Sequence, residues 1–241
     1  MPEKISGIIL NVRKYNDKNS IVTMFTRSRG RLSFISPIGS GKLSNVRRAK
    51  LQPLSVISTD LNFKPSAELQ RLGSVASEEI WTDLYFNPYK RLLTIFISEF
   101  LYRLLNASMP DTLLYDFLVD SFRLLDRSKD SIADFHIPFL VSLLSFSGIQ
   151  PNVEGYSPGK VFDFSSGSFL FPEASNGPFI NAKDSQFVAL VARINFSNIK
   201  RLRLTNVNRR EILYGLLNYF SFHFPGLASL KSPEILRQLL E

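Results

Sequence analysis

Cysteine is absent from all 241 residues. No disulfide framework, thiolate zinc site, iron–sulfur cluster or cysteine nucleophile is therefore open to this chain. Histidine is almost as scarce, with His136 and His223 the only two. That supply excludes a histidine-rich metal centre, and the expectation is no metal and no cofactor. No apolar run reaches the roughly 20 residues that cross a bilayer. Met1-Pro2-Glu3-Lys4 does not lead into the apolar segment of a secretory signal. The expected location is cytoplasmic, without a membrane partner. What is present is ordinary for a folded chain: 44% of residues are hydrophobic, so disorder is excluded as the dominant state.

Acidic residues are outnumbered, 21 to 29, for a formal charge of +8. The excess is local. Residues 1–80 hold 13 basic and 6 acidic side chains, whereas residues 81–241 hold 16 and 15. A basic segment joined to a nearly neutral one points to a polyanion-binding domain beside a scaffold or partner-binding domain.

Residues 1–80 read as β structure, with strands expected over Ile5–Tyr15, Ser20–Thr26, Arg31–Ser36, Leu54–Leu61 and Leu69–Ala76. In the first, Ile8, Leu10 and Val12 fall on one face and Ile9, Asn11 and Arg13 on the other. Asn16–Asn19 and Ser28-Arg29-Gly30 are the turns between the first three. Five short strands in about 75 residues suggest a small closed barrel, an OB-fold or an SH3-like barrel. From residue 81 the period becomes helical. Pro88 suits the first turn of a helix, and Asp111 can cap the next. A third helix is expected over Ala133–Ser147, with Gly148 as its stop. Together these three suggest a bundle. The segment 149–182 is rich in Pro and Gly, and Val161–Phe164 and Ser168–Phe171 flank a turn as a small hairpin. Helices resume at Asp184–Ile194, then from Asn208, which with Glu211 resembles a capping box, and finally from Ser232-Pro233. The fold class is therefore α+β. A five-stranded barrel over 1–80 precedes a helical domain over 81–241, which carries a loop-and-hairpin insert at about 149–182.

The residues with chemistry to offer are mostly cations. Arg27, Arg29 and Arg31 sit at spacing two around a turn. Lys42, Arg47, Arg48 and Lys50 lie in the polar segment Gly39–Lys50, read as a mobile basic loop at a barrel mouth that tracks phosphates. Tyr15, Phe34 and Phe63 are available to stack on bases, against the alternative of core or incidental surface. Gly39-Ser40-Gly41-Lys42 fails as a phosphate-binding loop, because Ser36 stands where the first glycine is required and Leu43 where Ser or Thr is. A second basic group is Lys200, Arg201 and Arg203, followed by Arg209 and Arg210 in the first turn of the Asn208 helix. Both histidines read as structural. No Ser/His/Asp order or paired-carboxylate motif stands out, so no enzyme is expected.

Gly7-Ile8-Ile9-Leu10-x-x-Arg13-x-Tyr15 and Ser20–Arg27 followed by Gly30-Arg31-Leu32 resemble the start of the bacterial RecO recombination mediators. So does the basic segment before Leu51-Gln52-Pro53-Leu54. Leu143-Leu144-x-x-x-Gly148-Ile149-x-Pro151 ahead of a hairpin and the closing Leu230-Lys231-Ser232 are similar to the same family. The resemblance implies an OB-fold at the N-terminus and a nucleoid-associated protein that binds single- and double-stranded DNA and anneals complementary strands. It implies RecR as a partner in loading RecA, and the C-terminal tail of single-strand DNA-binding protein as a second partner, bound by the helical domain. On that reading Arg27, Arg29, Arg31, Lys42, Arg47, Arg48 and Lys50 are the expected DNA surface, with Lys200, Arg201 and Arg203 as its candidate extension. A monomer is expected, although the sequence leaves oligomeric state open. Many relatives carry a four-cysteine zinc site in the insert. Here Pro151–Asn181 has no cysteine, and the hairpin is expected to hold its shape through Phe162, Phe164, Phe169 and Phe171. An RNA-binding OB protein and a protein–protein adaptor are the alternatives.

Overall fold

A computed structural model describes residues 3–106, 109–129, 132–193, 196 and 204–237. The chain divides into two compact units, one to Arg127 and one from Ser128.

The first unit is built on a six-stranded sheet: β1 (Glu3–Lys14), β2 (Asn19–Thr26), β3 (Gly30–Pro37), β4 (Val56–Leu61), β5 (Leu69–Arg71) and β6 (Val75–Ser77). Their order across the sheet is β5-β3-β2-β1-β4-β6. The two edge strands are consecutive in the chain, separated only by Leu72-Gly73-Ser74. The expected single strand over Leu69–Ala76 is thus two. β5 pairs parallel to β3 and β6 antiparallel to β4, so the short link joins the two edges and closes the sheet into a barrel. Leu72 N–H donates to the Ile35 carbonyl, and the Ser74 hydroxyl to Asp60. Gly73 is required there, because a Cβ would run into the backbone of Asp60.

Ile5, Ile9, Val22, Met24, Phe34, Ile57, Leu61 and Leu72 form the barrel core. A bulge between Ile9 and Asn11 interrupts the pairing of β1 with β2, which breaks the simple alternation read from the sequence. Ile8 and its cross-strand neighbour Phe25 are also fully buried, so both faces of this strand pair are covered. The cover is helical: α2 (Pro88–Leu104) and α3 (Thr112–Arg127). The Ser98 hydroxyl of α2 donates to the Leu10 carbonyl at 2.5 Å, and Phe25 meets Tyr115 of α3 with ring centroids 6.3 Å apart. Asn87 caps α2 ahead of Pro88, and Asp111 accepts from the Leu114 N–H to open α3. These two helices fall in the same compact unit as the barrel, and the next helix falls in the second unit. The connection into α2 is clamped by Asp126, which is almost fully buried. Its carboxylate accepts from the N–H groups of Thr82, Asp83 and Leu84 and from the Thr82 hydroxyl. Buried Lys90 donates to the Asp126 carbonyl at 2.7 Å and pairs with Asp83 at 2.6 Å.

In the second unit, a 3₁₀ turn over Ile132–Asp134 leads into α4 (His136–Phe146), ended by Gly148 at φ +71°. The insert is a three-stranded sheet: β7 (Val161–Asp163) is flanked by β8 (Ser168–Leu170) and β9 (Phe179–Ile180). Then come α5 (Ala182–Val191), α6 (Asn206–His223) and α7 (Pro233–Arg237). The cap of α6 is Thr205, whose hydroxyl accepts from the Asn208 N–H. The expected cap at Asn208 lies three residues too late, because Asn208 instead bonds sideways to the Thr205 hydroxyl. Phe162, Phe164 and Phe169 are buried and pack with Tyr219 and one another. Phe171 departs from the expectation: it is 53% exposed and lies under the Lys160 ammonium. Residues 151–181 hold neither cysteine nor histidine, and the Asp163 carboxylate is engaged by Ser175 and the Ser166 N–H. That donor set does not fit a structural zinc ion. His136 is fully buried with neither ring nitrogen hydrogen-bonded. Burial, and then the nearby Arg209 charge, push its pKa down to about 3.

Candidate nucleic-acid interface

The segment Gly39–Lys50, expected to be a mobile loop, is a helix from Lys42 onward. This is α1 (Lys42–Lys50), a nine-residue element with no buried residue. Its polarity hid it, because the apolar stripe that marks a packed helix is missing. Leu43 and Val46 are exposed, and no acidic residue occupies the first turn. Three of its cations, Arg47, Arg48 and Lys50, lie in the last turn, where the helix dipole favours positive charge.

Two of the cations anchor the helix. Arg47 donates to the Leu72 carbonyl at 3.1 Å, and Lys50 to the Val75 carbonyl at 3.0 Å. Leu72 begins the link that closes the barrel and Val75 follows it, so α1 is strapped across the seam. Burial pushes the Arg47 guanidinium pKa down. Lys42 and Arg48 are exposed, and no side-chain partner is recorded for either among the described residues. A small cavity of about 90 Å³ separates α1 from the barrel, with Val12, Ser20, Gly39, Ser44 and Arg48 in its lining. It brings α1 beside the far end of the β1–β2 hairpin. There the Lys18 carbonyl accepts from the Ile38 N–H at 2.7 Å, and Arg13, Tyr15 and Lys18 are exposed. Sequence reasoning passed over Arg13 and Lys18. The signal was available, since they flank the Asn16–Asn19 turn, but which strand end a helix would dock beside is not a local property.

Arg27, Arg29 and Arg31 are at the opposite end. β2 runs from the hairpin end at Asn19 to Thr26 beside the β2–β3 turn, a span of about 25 Å at the usual strand rise. Each of the three has a partner. Arg27 forks onto both oxygens of Asp116, at 3.1 and 2.9 Å. Arg29 bonds Glu3 at 2.6 Å and lies 4.2 Å over the Phe63 ring. Arg31 donates to the Tyr102 carbonyl at 2.7 Å and stacks 4.4 Å over its ring. The seven cations read from the sequence are therefore two groups, one at each end of a strand. Of the candidate aromatics, Phe34 is barrel core, Phe63 is half-buried beneath Arg29, and Tyr15 is exposed. Lys200, Arg201 and Arg203 lie outside the described residues. Arg209 is tied to Asp134 at 2.5 Å and to Asn206 at 2.6 Å.

The family models Recombination protein O N terminal and Recombination protein O C terminal match residues 1–80 and 88–234. The chain belongs to the RecO family. Curated relatives extend the match end to end. A "DNA repair protein RecO" of Phocaeicola vulgatus is 31% identical over 239 residues, 99% of each chain. Others of that description are 32% identical in Porphyromonas gingivalis, covering 98% of each chain, and 30% identical in Bacteroides fragilis, covering all of each. At the α1 end of the barrel, Arg13, Lys18, Lys42 and Arg48 are exposed cations with no ion pair among the described residues. Among the described residues, no cluster of three or more His, Asp or Glu is arranged to hold a metal ion, and no helix is long and apolar enough to cross a membrane.

Proposed function

We propose that the protein acts in DNA repair and recombination by binding and handling DNA strands, without cleaving bonds. The observation that carries the reading is the set of unpaired cations, Lys42 and Arg48 on α1 with Arg13 and Lys18 on the adjoining hairpin end, on the barrel of a chain matched throughout by RecO relatives. Unpaired surface cations neutralise phosphates, so two strands approach each other against less repulsion, and binding releases counterions. Arg47 and Lys50 position α1, while Tyr15 offers a ring to an unstacked base. Annealing of complementary single strands follows from that surface. RecR as a partner, loading of RecA, and recognition of the C-terminal tail of single-strand DNA-binding protein by the second unit complete the reading, supported by the family membership.

The test is annealing of two labelled complementary DNA strands at low and moderate salt, with wild-type protein and with Lys18→Glu/Lys42→Glu/Arg48→Glu combined. Fast annealing that collapses with salt and is lost in the triple variant is expected. Tight binding to structured RNA without annealing overturns the reading in favour of an RNA-binding protein.

A further inference from the structure

A cavity of about 370 Å³ opens in the first unit between the barrel wall, the Glu78–Glu79 segment after β6, and α3. It has nothing to do with α1, and its charge is the reverse. Four carboxylates and two guanidiniums line it, a formal balance of −2. Asp116 is taken by Arg27. Arg123 is shared between Glu79 and Asp120, at 2.8 Å from the latter. Glu78 accepts the Ser6 hydroxyl at 2.6 Å and meets no cation among the described ion pairs.

Tyr115 is the second observation. It lines the cavity at 4% exposure, and its hydroxyl is shut off from solvent with no hydrogen-bond partner. Burial, then the charge of Glu78, raises its pKa, so the oxygen lies within electrostatic reach of the cavity's carboxylates. A buried polar group left without a partner is destabilising, and a ligand that donates to it relieves that cost. Val56 and Val119 supply apolar wall.

We propose that this cavity seats an arginine side chain presented by a partner protein. The net negative charge rejects phosphate and calls for a cation. No metal-binding cluster exists among the described residues, so the cation is organic. A guanidinium matches best. Its planar fork of five donors serves several acceptors at once, namely the unpaired Glu78 carboxylate and the orphan phenol oxygen, while its aliphatic stem covers the valines. An ammonium brings a single point of charge. This inference is independent of the DNA-binding reading, which concerns the other end of the barrel.

The full chain is titrated with the peptide Gly-Gly-Arg-Gly-Gly amide, followed by NMR. The matched lysine and citrulline peptides and spermidine serve as comparisons. Saturable binding of the arginine peptide is expected, about tenfold weaker for lysine and absent for neutral citrulline. Glu78→Gln, at an exposed position, should weaken it about tenfold without shifting the melting temperature. Tyr115→Phe should weaken it while raising the melting temperature, since it deletes an unsatisfied hydroxyl. A merely structural tyrosine gives the opposite pair: a lower melting temperature and unchanged binding. If Tyr115→Phe fails to fold, Glu78→Gln decides alone. No saturable binding, equal binding of the citrulline peptide, or indifference to Glu78→Gln overturns the proposal, and tighter binding of spermidine replaces the partner arginine with a free polyamine. DNA affinity is measured in parallel and should be the same in both variants.

Discussion

At the β2–β3 turn, Arg27, Arg29 and Arg31 each meet a carboxylate, a ring or a carbonyl. At the other end of β2, Lys42 and Arg48 stand on a helix that touches the barrel through two neighbouring cations and leaves these two in water. The two groups look alike in a charge count. They differ in what remains for a ligand. A guanidinium already forked onto a carboxylate brings little net field to a phosphate, whereas an unpaired one brings all of it. By that argument Arg27, Arg29 and Arg31 spend their charge within the fold, while Lys42 and Arg48 keep theirs for a ligand.

The largest effect that would break this contrast is on DNA affinity. Combined reversal of Lys18, Lys42 and Arg48 should cost at least about a hundredfold in affinity at low salt and flatten the dependence on salt, measured by fluorescence anisotropy. Combined replacement of Arg27, Arg29 and Arg31 by alanine should cost far less in affinity and lower the melting temperature instead. Equal losses of affinity from the two sets would erase the distinction between the ends.

The next largest effect is on stability. Asp126→Ala strips the acceptor from four donors in the connection that leads into α2, and should cost about 3 kcal/mol in urea denaturation. Hydrogen exchange should quicken in α2, whose end holds Arg31, and leave α1 unchanged. Burial works to raise the Asp126 pKa, but the N–H groups of Asp83, Thr82 and Leu84 and the Thr82 hydroxyl outweigh it and hold it below the usual carboxylate range. The stability it contributes is therefore complete above the unfolded value of about 3.9. It is lost as the pH falls through the lower folded value, and Asp126→Ala should lack that part of the acid transition. A smaller loss, about 1–2 kcal/mol, is expected for Arg31→Ala, which removes a carbonyl bond and a ring contact. DNA affinity should hold.

These differences mark what was legible in the sequence. The first three strands, their turns, Pro88 at a helix start and Asp111 as a cap follow from local signals, and the structure has them. Barrel closure was legible only as a strand count. The turn at Gly73 that sends β5 and β6 to opposite edges depends on where Asp60 lies. α1 escaped because a helix with no buried residue has no apolar period to read. The division of the cations escaped for a related reason. Spacing two around a turn places Arg27, Arg29 and Arg31 near one another, but their partners Asp116, Glu3 and Tyr102 are 89, 26 and 71 positions away, and no local rule finds them.

The smallest effect is the most discriminating. Arg27→Ala removes a well-formed bidentate pair with Asp116, yet both side chains are about half exposed. An exposed pair gains little over hydration and loses side-chain entropy to hold its geometry, so the melting temperature should not move measurably. DNA affinity should not move either, if Asp116 already cancels the charge of Arg27. What should change is the neighbouring carboxyl. The hydrogen bond from Arg27 holds the Asp116 pKa below its ordinary value, and without it NMR titration should show that pKa rise. A silent melting temperature together with a risen Asp116 pKa would mean that the pair is real but local. A fall in DNA affinity would return Arg27 to the phosphate-binding surface and remove the distinction between the two ends of the barrel.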